Sequence, residues 1–276
     1  MKQIKLLFLL ASASVTGAFA QSNGLTDMSQ SRYAKMANTG IDAVHWTNGF
    51  WGERFNVFSG TSLQSMWNTW NTPEVSHGFR NFEIAAGVCK GEHWGPPFHD
   101  GDMYKWMEGV ASVYAVNKDP ELDKLMDNFI ACVVKAQRAD GYIHTPVVIE
   151  ELNKGIDSHT QADSQQQTVI GTKVGSEDEK GAFANRLNFE TYNLGHLMMA
   201  GIVHHRATGK TTLLDAAVKA TDFLCHFYET ASAELARNAI CPSHYMGVVE
   251  MYRATGNPRY LELSKNLIDI RGMVES

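Results

Sequence analysis

Three things are scarce in this chain. Cysteine occurs four times and proline seven times in 276 residues. Beyond the first twenty residues, no stretch approaches the roughly eighteen apolar residues that a membrane span requires. Cys89, Cys132, Cys225 and Cys241 include no C-x-x-C pair, which argues against a zinc ribbon or a thioredoxin-type site. Positive charge is not in excess either: 24 Lys and Arg stand against 30 Asp and Glu. A nucleic-acid binder would carry a basic stripe, so neither a nucleic-acid partner nor a membrane span is expected.

The amino end is a separate matter. Lys2 and Lys5 precede the apolar run Leu6 to Leu10, and small residues lead to Ala18-Phe19-Ala20 before Gln21. This is the pattern of a secretory signal peptide over residues 1–20, so the expected location is periplasmic or secreted. Residues 21–40 are polar and aperiodic and read as a loose arm, leaving 41–276 as one domain. Export permits disulfides. Cys132 and Cys225, however, lie inside helical patterns, where a buried free thiol is expected.

What is abundant is apolar and aromatic: 44% hydrophobic residues, 10% aromatics and six Trp. That suits a carbohydrate cleft and a large helical core equally. In DAVHWTNGFWGERF, Asp42 to Phe55, the aromatics read mainly as a plug packing the arm onto the domain. One Trp there could instead be a platform for the apolar face of a sugar. Thr61 to Trp70 reads as a short helix, and Asn81 to Asp100 as a small helix followed by an irregular loop.

Helical hairpins follow. Met103 to Val116 and Glu121 to Gln137 form the first, around a turn at Asn117 to Pro120. Glu190 to Thr208 and Thr211 to Tyr228 form the second; Pro242 to Thr255 and Pro258 to Arg271 form the third. Glycines stop these helices and prolines start them. The turns HRATGKTTLLDAA and YRATGNPRYLELS look like copies, with Gly209 and Gly256 separated by 47 residues (256 − 209). A helical pair recurring at that period means stacked αα units. Between the first two hairpins, Thr145 to Arg186 is polar and reads as an inserted β-hairpin or flap.

The stretch FHDGDMYKWMEG, Phe98 to Gly109, concentrates the chemistry. Met103, Trp106, Met107, Val110, Val113 and Tyr114 recur at helical spacing, and Asp100 or Asp102 could cap the helix start. Glu190, Tyr192 and His196 open the second hairpin; Cys241, Ser243, His244 and Tyr245 open the third. If the first helix of each hairpin lies inside a ring, these clusters meet at one mouth. Asp100, Asp102, Trp106, Glu190, His196 and His244 are then the candidate wall of a substrate-binding pocket for a hydroxyl-rich ligand.

Three of these have a plainer reading. Asp102 could be a helix cap, Glu190 a first-turn acid favoured by the helix dipole, and His196 a hydrogen-bonded core histidine. His204-His205, near a helix end, reads as structural. His93, His99 and Asp100 match no fixed metal-ligand spacing, and no metal is expected in this chain. Asp102 and Glu190 could make the carboxylate pair of ordinary glycoside hydrolysis, although their separation is not legible.

Several segments together resemble the bacterial β-L-arabinofuranosidase family of glycoside hydrolases. They are FWGERF from Phe50, NFEIAAG from Asn81, DGDMYKWMEG from Asp100, AQRADGYIHT from Ala136, NFETYNLGHLMMAG from Asn188 and YRATGNPRYLELSKNLIDIRG from Tyr252. They fall in the family's order. The resemblance implies an all-α fold of αα-hairpins forming part of an (α/α)6 toroid, and a retaining hydrolase acting on terminal sugars of plant-type glycans. It also implies a zinc-bound cysteine thiolate as nucleophile and a glutamate as acid/base, both beyond the point matching Gly272. The chain is accordingly expected to be an inactive, poorly soluble fragment, and zinc is implied for the full-length parent alone. The family's histidine before the helix glutamate is replaced by Phe189, and another, before Pro242, by Cys241, which points to a different sugar preference. The rival readings are a toroid polysaccharide lyase or unsaturated-uronide hydrolase with Asp102 as acid, and a non-catalytic sugar-binding remnant.

Overall fold

The computed structural model describes residues 24–156, 183, 188–231, 236 and 243–272. Ten α-helices are assigned there: α1 (Gly49–Val57), α2 (Leu63–Trp70), α3 (Gly78–Ala85), α4 (His99–Asn117) and α5 (Pro120–Ala136), then α6 (Thr145–Asn153), α7 (Glu190–Thr208), α8 (Thr212–Thr230), α9 (Ser243–Thr255) and α10 (Pro258–Gly272). A π-helical turn, Phe58–Ser62, joins α1 to α2. Among the described residues there is no strand, and no helix is long and apolar enough to cross a membrane.

Burial separates two kinds of helix. α5 buries Met126, Phe129, Ile130, Val133 and Ala136, one stripe at steps of three and four, as an outer helix covering a core does. α4 and α7 are buried over most of their circumference, from Met103 to Ala115 and from Glu190 to Ala207. A helix buried nearly all round needs neighbours on both sides. α7 has α4 on one side and α9 on the other, while α5, α8 and α10 form an outer row behind them.

Close approaches set this inner row. A Cβ on Gly101 would fall 2.7 Å from Asn193 Oδ1, and one on Gly247 would fall 2.6 Å from the Gly195 carbonyl oxygen. These contacts join the amino ends of α4, α7 and α9. At the other end Lys118 Nζ donates to the Ala207 carbonyl at 3.2 Å, and Arg206 reaches Glu250 at 3.4 Å. The three inner helices therefore run parallel, with their starts at one level.

The hairpin turns explain the repeat. Gly209 and Gly256 have φ of 78° and 71°, and their N–H groups donate to the carbonyls of His205 and Tyr252, both at 2.7 Å. Both are left-handed stops that glycine adopts without strain. Lys118 fills the equivalent place in the first hairpin with φ of 55°. Asp119 then caps α5 by accepting from the Glu121 N–H at 2.9 Å.

Three expectations are corrected. The segment opening at Thr145 begins as a helix and not as a strand: Thr145–Asn153 is α6, started by Pro146, whose fixed φ suits a first helical turn. Residues 157–182 and 184–187 of that stretch lie outside the described residues. The aromatic plug is not closed either. Phe55 packs against the core, but Phe50 and Trp51 are exposed on α1. The arm is irregular yet anchored, since the Asp27 N–H donates to Glu250 Oε2 at 3.1 Å and Arg206 donates to the Leu25 carbonyl at 2.8 Å.

Candidate functional site at the mouth of the inner helices

The N-cap position of α4 is Phe98, which offers no side-chain cap; Asp100 and Asp102 sit in the first turn and do not cap it. Asn193 of α7 does part of that work, its Oδ1 accepting from the Gly101 N–H at 2.9 Å. Asp100 is turned the other way. Its carboxylate accepts from the Thr145 N–H at 2.7 Å and from the Thr145 hydroxyl at 2.6 Å, and the His144 Nδ1 stands 3.4 Å away. Burial pushes the Asp100 carboxyl up, but the His144 and Thr145 interactions outweigh it and hold it below its ordinary value.

Glu190, the first residue of α7, is the second buried carboxylate. It accepts from the Tyr142 hydroxyl at 2.5 Å and from the Phe183 N–H at 2.8 Å. Here burial wins: despite His144, Tyr142 and the Phe183 N–H, its pKa is raised. Two carboxylates at neighbouring helix starts are thus pushed in opposite directions, one favouring the anion and the other the acid. Burial and Glu190 together raise the Tyr142 phenol well above its usual value.

Between these acids lies His144, 0% exposed. Asn193 Nδ2 is 3.3 Å from its Nδ1, and its buried Nε2 has no hydrogen-bond partner among the described residues. A buried polar atom without a partner is uncommon in a folded protein. The buried nitrogens His93 Nε2 and His99 Nδ1 share that condition nearby. Burial pushes His93 down to about 4, although Asp100 opposes it, and His77, His99 and His144 are also within its electrostatic reach. His93 is therefore neutral at pH 7.

The other candidates are distributed as follows. Asp102 faces the open side of α4 in an ion pair with Lys105 at 3.0 Å, and Lys105 also donates to the Tyr192 hydroxyl of α7. Asp102 and Glu190 have separate partners: Lys105 for the first, Tyr142 and the Phe183 N–H for the second. His196 continues the open stripe, its Nδ1 lying 3.9 Å from Glu108. His244 is buried edge-on against Tyr245, ring centroids 4.2 Å apart. Tyr228 lies within electrostatic reach of both Tyr245 and Glu190.

Trp106 is in the core, not in the pocket wall. It is 2% exposed and stacked on Trp67 at 5.0 Å, because its position in α4 points at α2 and Phe129. Phe189 takes up φ of 58°, a left-handed geometry that a bulky residue adopts only under constraint. Its ring meets Phe98 at 5.5 Å. Cys241 lies outside the described residues. Sequence reasoning missed His144, Thr145, Tyr142 and Asn193. The first three sit in the DGYIHT segment of the resemblance, and that quoted motif was the signal available.

No three His, Cys, Asp or Glu side chains are grouped as a metal site would need among the described residues. Cys89, Cys132 and Cys225 are free thiols, and burial raises all three, Cys225 to about 11. A zinc-held thiolate requires clustered ligands and a depressed pKa, so these residues do not fit one.

Comparison with known proteins agrees with the geometry. The family model for the β-L-arabinofuranosidase GH127 catalytic domain matches residues 43–276. A non-reducing end β-L-arabinofuranosidase of Bifidobacterium longum subsp. longum is 32% identical over 197 residues, covering 71% of this chain and 27% of the relative. A GH127 β-L-arabinofuranosidase structure from Geobacillus stearothermophilus T6 aligns with a TM-score of 0.66 and 30% identity, over 83% of this chain and 33% of that one. A structure described as a glycoside hydrolase is 73% identical with a TM-score of 0.64, over 92% of this chain and 31% of that one. The chain spans about a third or less of the length of these relatives. The inner-row fold with its shared mouth is part of the family's (α/α)6 toroid, and the chain belongs to the GH127 β-L-arabinofuranosidase family.

Proposed function

We propose that this chain supplies the sugar-binding mouth of a glycoside hydrolase that releases terminal β-L-arabinofuranosyl residues from plant-type glycans. The observation that carries the reading is His144, fully buried between two carboxylates with an Nε2 that has no partner among the described residues. Nδ1 faces both the Asp100 carboxylate and the Asn193 amide, and in either tautomer Nε2 is left to accept from or donate to a sugar hydroxyl. Asn193 fixes the start of α4 and stands against the same ring. Glu190 and Tyr142 form the floor and hold a proton between them.

In this reading the chain's own residues bind and orient the sugar and exclude water. The leader at residues 1–20 would direct the protein out of the cytoplasm; amino-terminal sequencing of the mature protein starting at Gln21 would support that, and an intact leader would count against it.

The test of the sugar reading is saturation-transfer NMR of methyl β-L-arabinofuranoside with the chain. His144→Phe preserves burial and an aromatic ring, so the fold should persist. The expected result is at least a roughly tenfold loss of affinity, the size of one lost buried hydrogen bond. Unchanged binding in a folded variant would remove His144 from the site, and absence of binding by the wild-type chain would defeat the arabinofuranoside assignment.

A further inference from the structure

The loop entering α4 lacks regular structure, yet it is held at three places by asparagine side chains from three helices. Asn153 of α6 donates to the Gly91 carbonyl at 3.0 Å. Asn81 of α3, itself fully buried, donates to the Trp94 carbonyl at 3.0 Å and accepts from the Trp94 N–H at 3.3 Å. Asn193 of α7 donates to the Pro97 carbonyl at 2.9 Å. Gly95, with φ of 99°, lets the His99 ring lie against the loop where a Cβ would clash at 2.7 Å.

What this clamped loop presents is an indole. Trp94 is 51% exposed, and its ring is braced by His77 at 4.9 Å between centroids, with planes inclined by 58°. An ordered backbone costs conformational entropy, and an exposed Trp recovers little of it by burial. The same asparagine that holds Pro97 also holds Gly101 and stands against His144, so the platform is coupled to the mouth. Beside it, buried nitrogens of His93 and His99 have no partner among the described residues.

We infer that Trp94 is a stacking platform for a second sugar ring, the one to which the terminal sugar is linked. The proposal rests on the sugar-binding reading above. An indole face takes the C–H face of a sugar ring, and the neutral imidazole of His93 offers a donor or acceptor to its hydroxyls. The ligand class is a neutral disaccharide or longer chain; a lone monosaccharide fills the mouth and leaves Trp94 uncovered.

Calorimetric titration of the chain with L-arabinose, an L-arabinofuranosyl disaccharide and xylobiose tests this, using wild type, Trp94→Ala and Trp94→Phe. The expected result is that Trp94→Ala weakens disaccharide binding roughly tenfold and leaves L-arabinose unchanged, while Trp94→Phe retains most of the affinity. Equal losses for monosaccharide and disaccharide overturn the second-ring assignment, as does disaccharide binding that ignores Trp94. Failure of wild type to bind any disaccharide overturns it as well, whereas L-arabinose binding then still speaks for the arabinoside reading. Trp94-dependent binding of xylobiose, with no binding of either arabinose ligand, upholds the platform and defeats that reading.

Discussion

The two ends of the inner helices are built on opposite terms. At the carboxyl end the buried charges are matched. Glu250 and Arg206 are almost fully buried and face each other, Arg253 pairs with the same carboxylate, and the arm adds the Asp27 N–H. Lys210 joins α8's approach to Asp123 and Asp127 of α5 at 2.7 and 2.8 Å. At the amino end, buried nitrogens of His93, His99 and His144 have no partner among the described residues. A fold held together for stability alone pairs what it buries. Under the proposed sugar-binding reading, hydroxyls of the ligand would take up the nitrogens that cluster at the amino end.

That contrast can be broken. Glu250→Ala should cost most, about 3–5 kcal/mol, because it strands the buried Arg206 guanidinium. Urea unfolding measures it, and a cost under about 1 kcal/mol would mean that the carboxyl end is not a structural clasp. Sugar affinity of the folded variant should be unchanged.

His204 is the exception at the carboxyl end. It is fully buried, and neither ring nitrogen has a partner among the described residues. A helix terminus favours a cation, but burial, reinforced by Lys210 and His205 against Asp127 and Asp123, pushes His204 down to about 4. A histidine with a depressed folded pKa leaves stability intact above pH 6.5 and removes it as pH falls towards 4. The loss amounts to about 3 kcal/mol from this group. His93 titrates over the same window, so His204→Leu should remove about half of the combined acid slope. Denaturation midpoints at several pH values would show it, and an unchanged slope would mean that His204 is solvated.

The smallest effect concerns the row itself. Gly247→Ala places a Cβ 2.6 Å from the backbone oxygen of Gly195, which cannot rotate away. A cost of about 1–3 kcal/mol is expected, read as a lower melting temperature. Full stability would show that α7 and α9 are less closely packed than this.

Much of this was legible residue by residue. The stripe on α5 and the two left-handed glycine turns follow from spacing and from backbone sterics, which are local. Trp106 was not legible in this way. It lies on the helix face shared with Met103 and Met107, but periodicity identifies a face without saying whether core or cavity lies opposite. Thr145 shows a second limit: paired valines after a proline fit a strand or a helix, and packing against α3 decided for the helix. Asp102 and Asp100 show a third. Both fit the cap position by type, and the choice of Asn193 as donor-satisfying partner came from a helix ninety-two residues away.

The sequence by itself determined the helical pairs, their turns and their repeat, because each depends on residues a few positions apart. Only the tertiary structure decided which polar groups are spent and which are left over. His144 among Asp100, Asn193 and Glu190, and Trp94 clamped at the rim, depend on helices distant along the chain being brought side by side. Burial and partnership belong to that arrangement, and no local pattern encodes them.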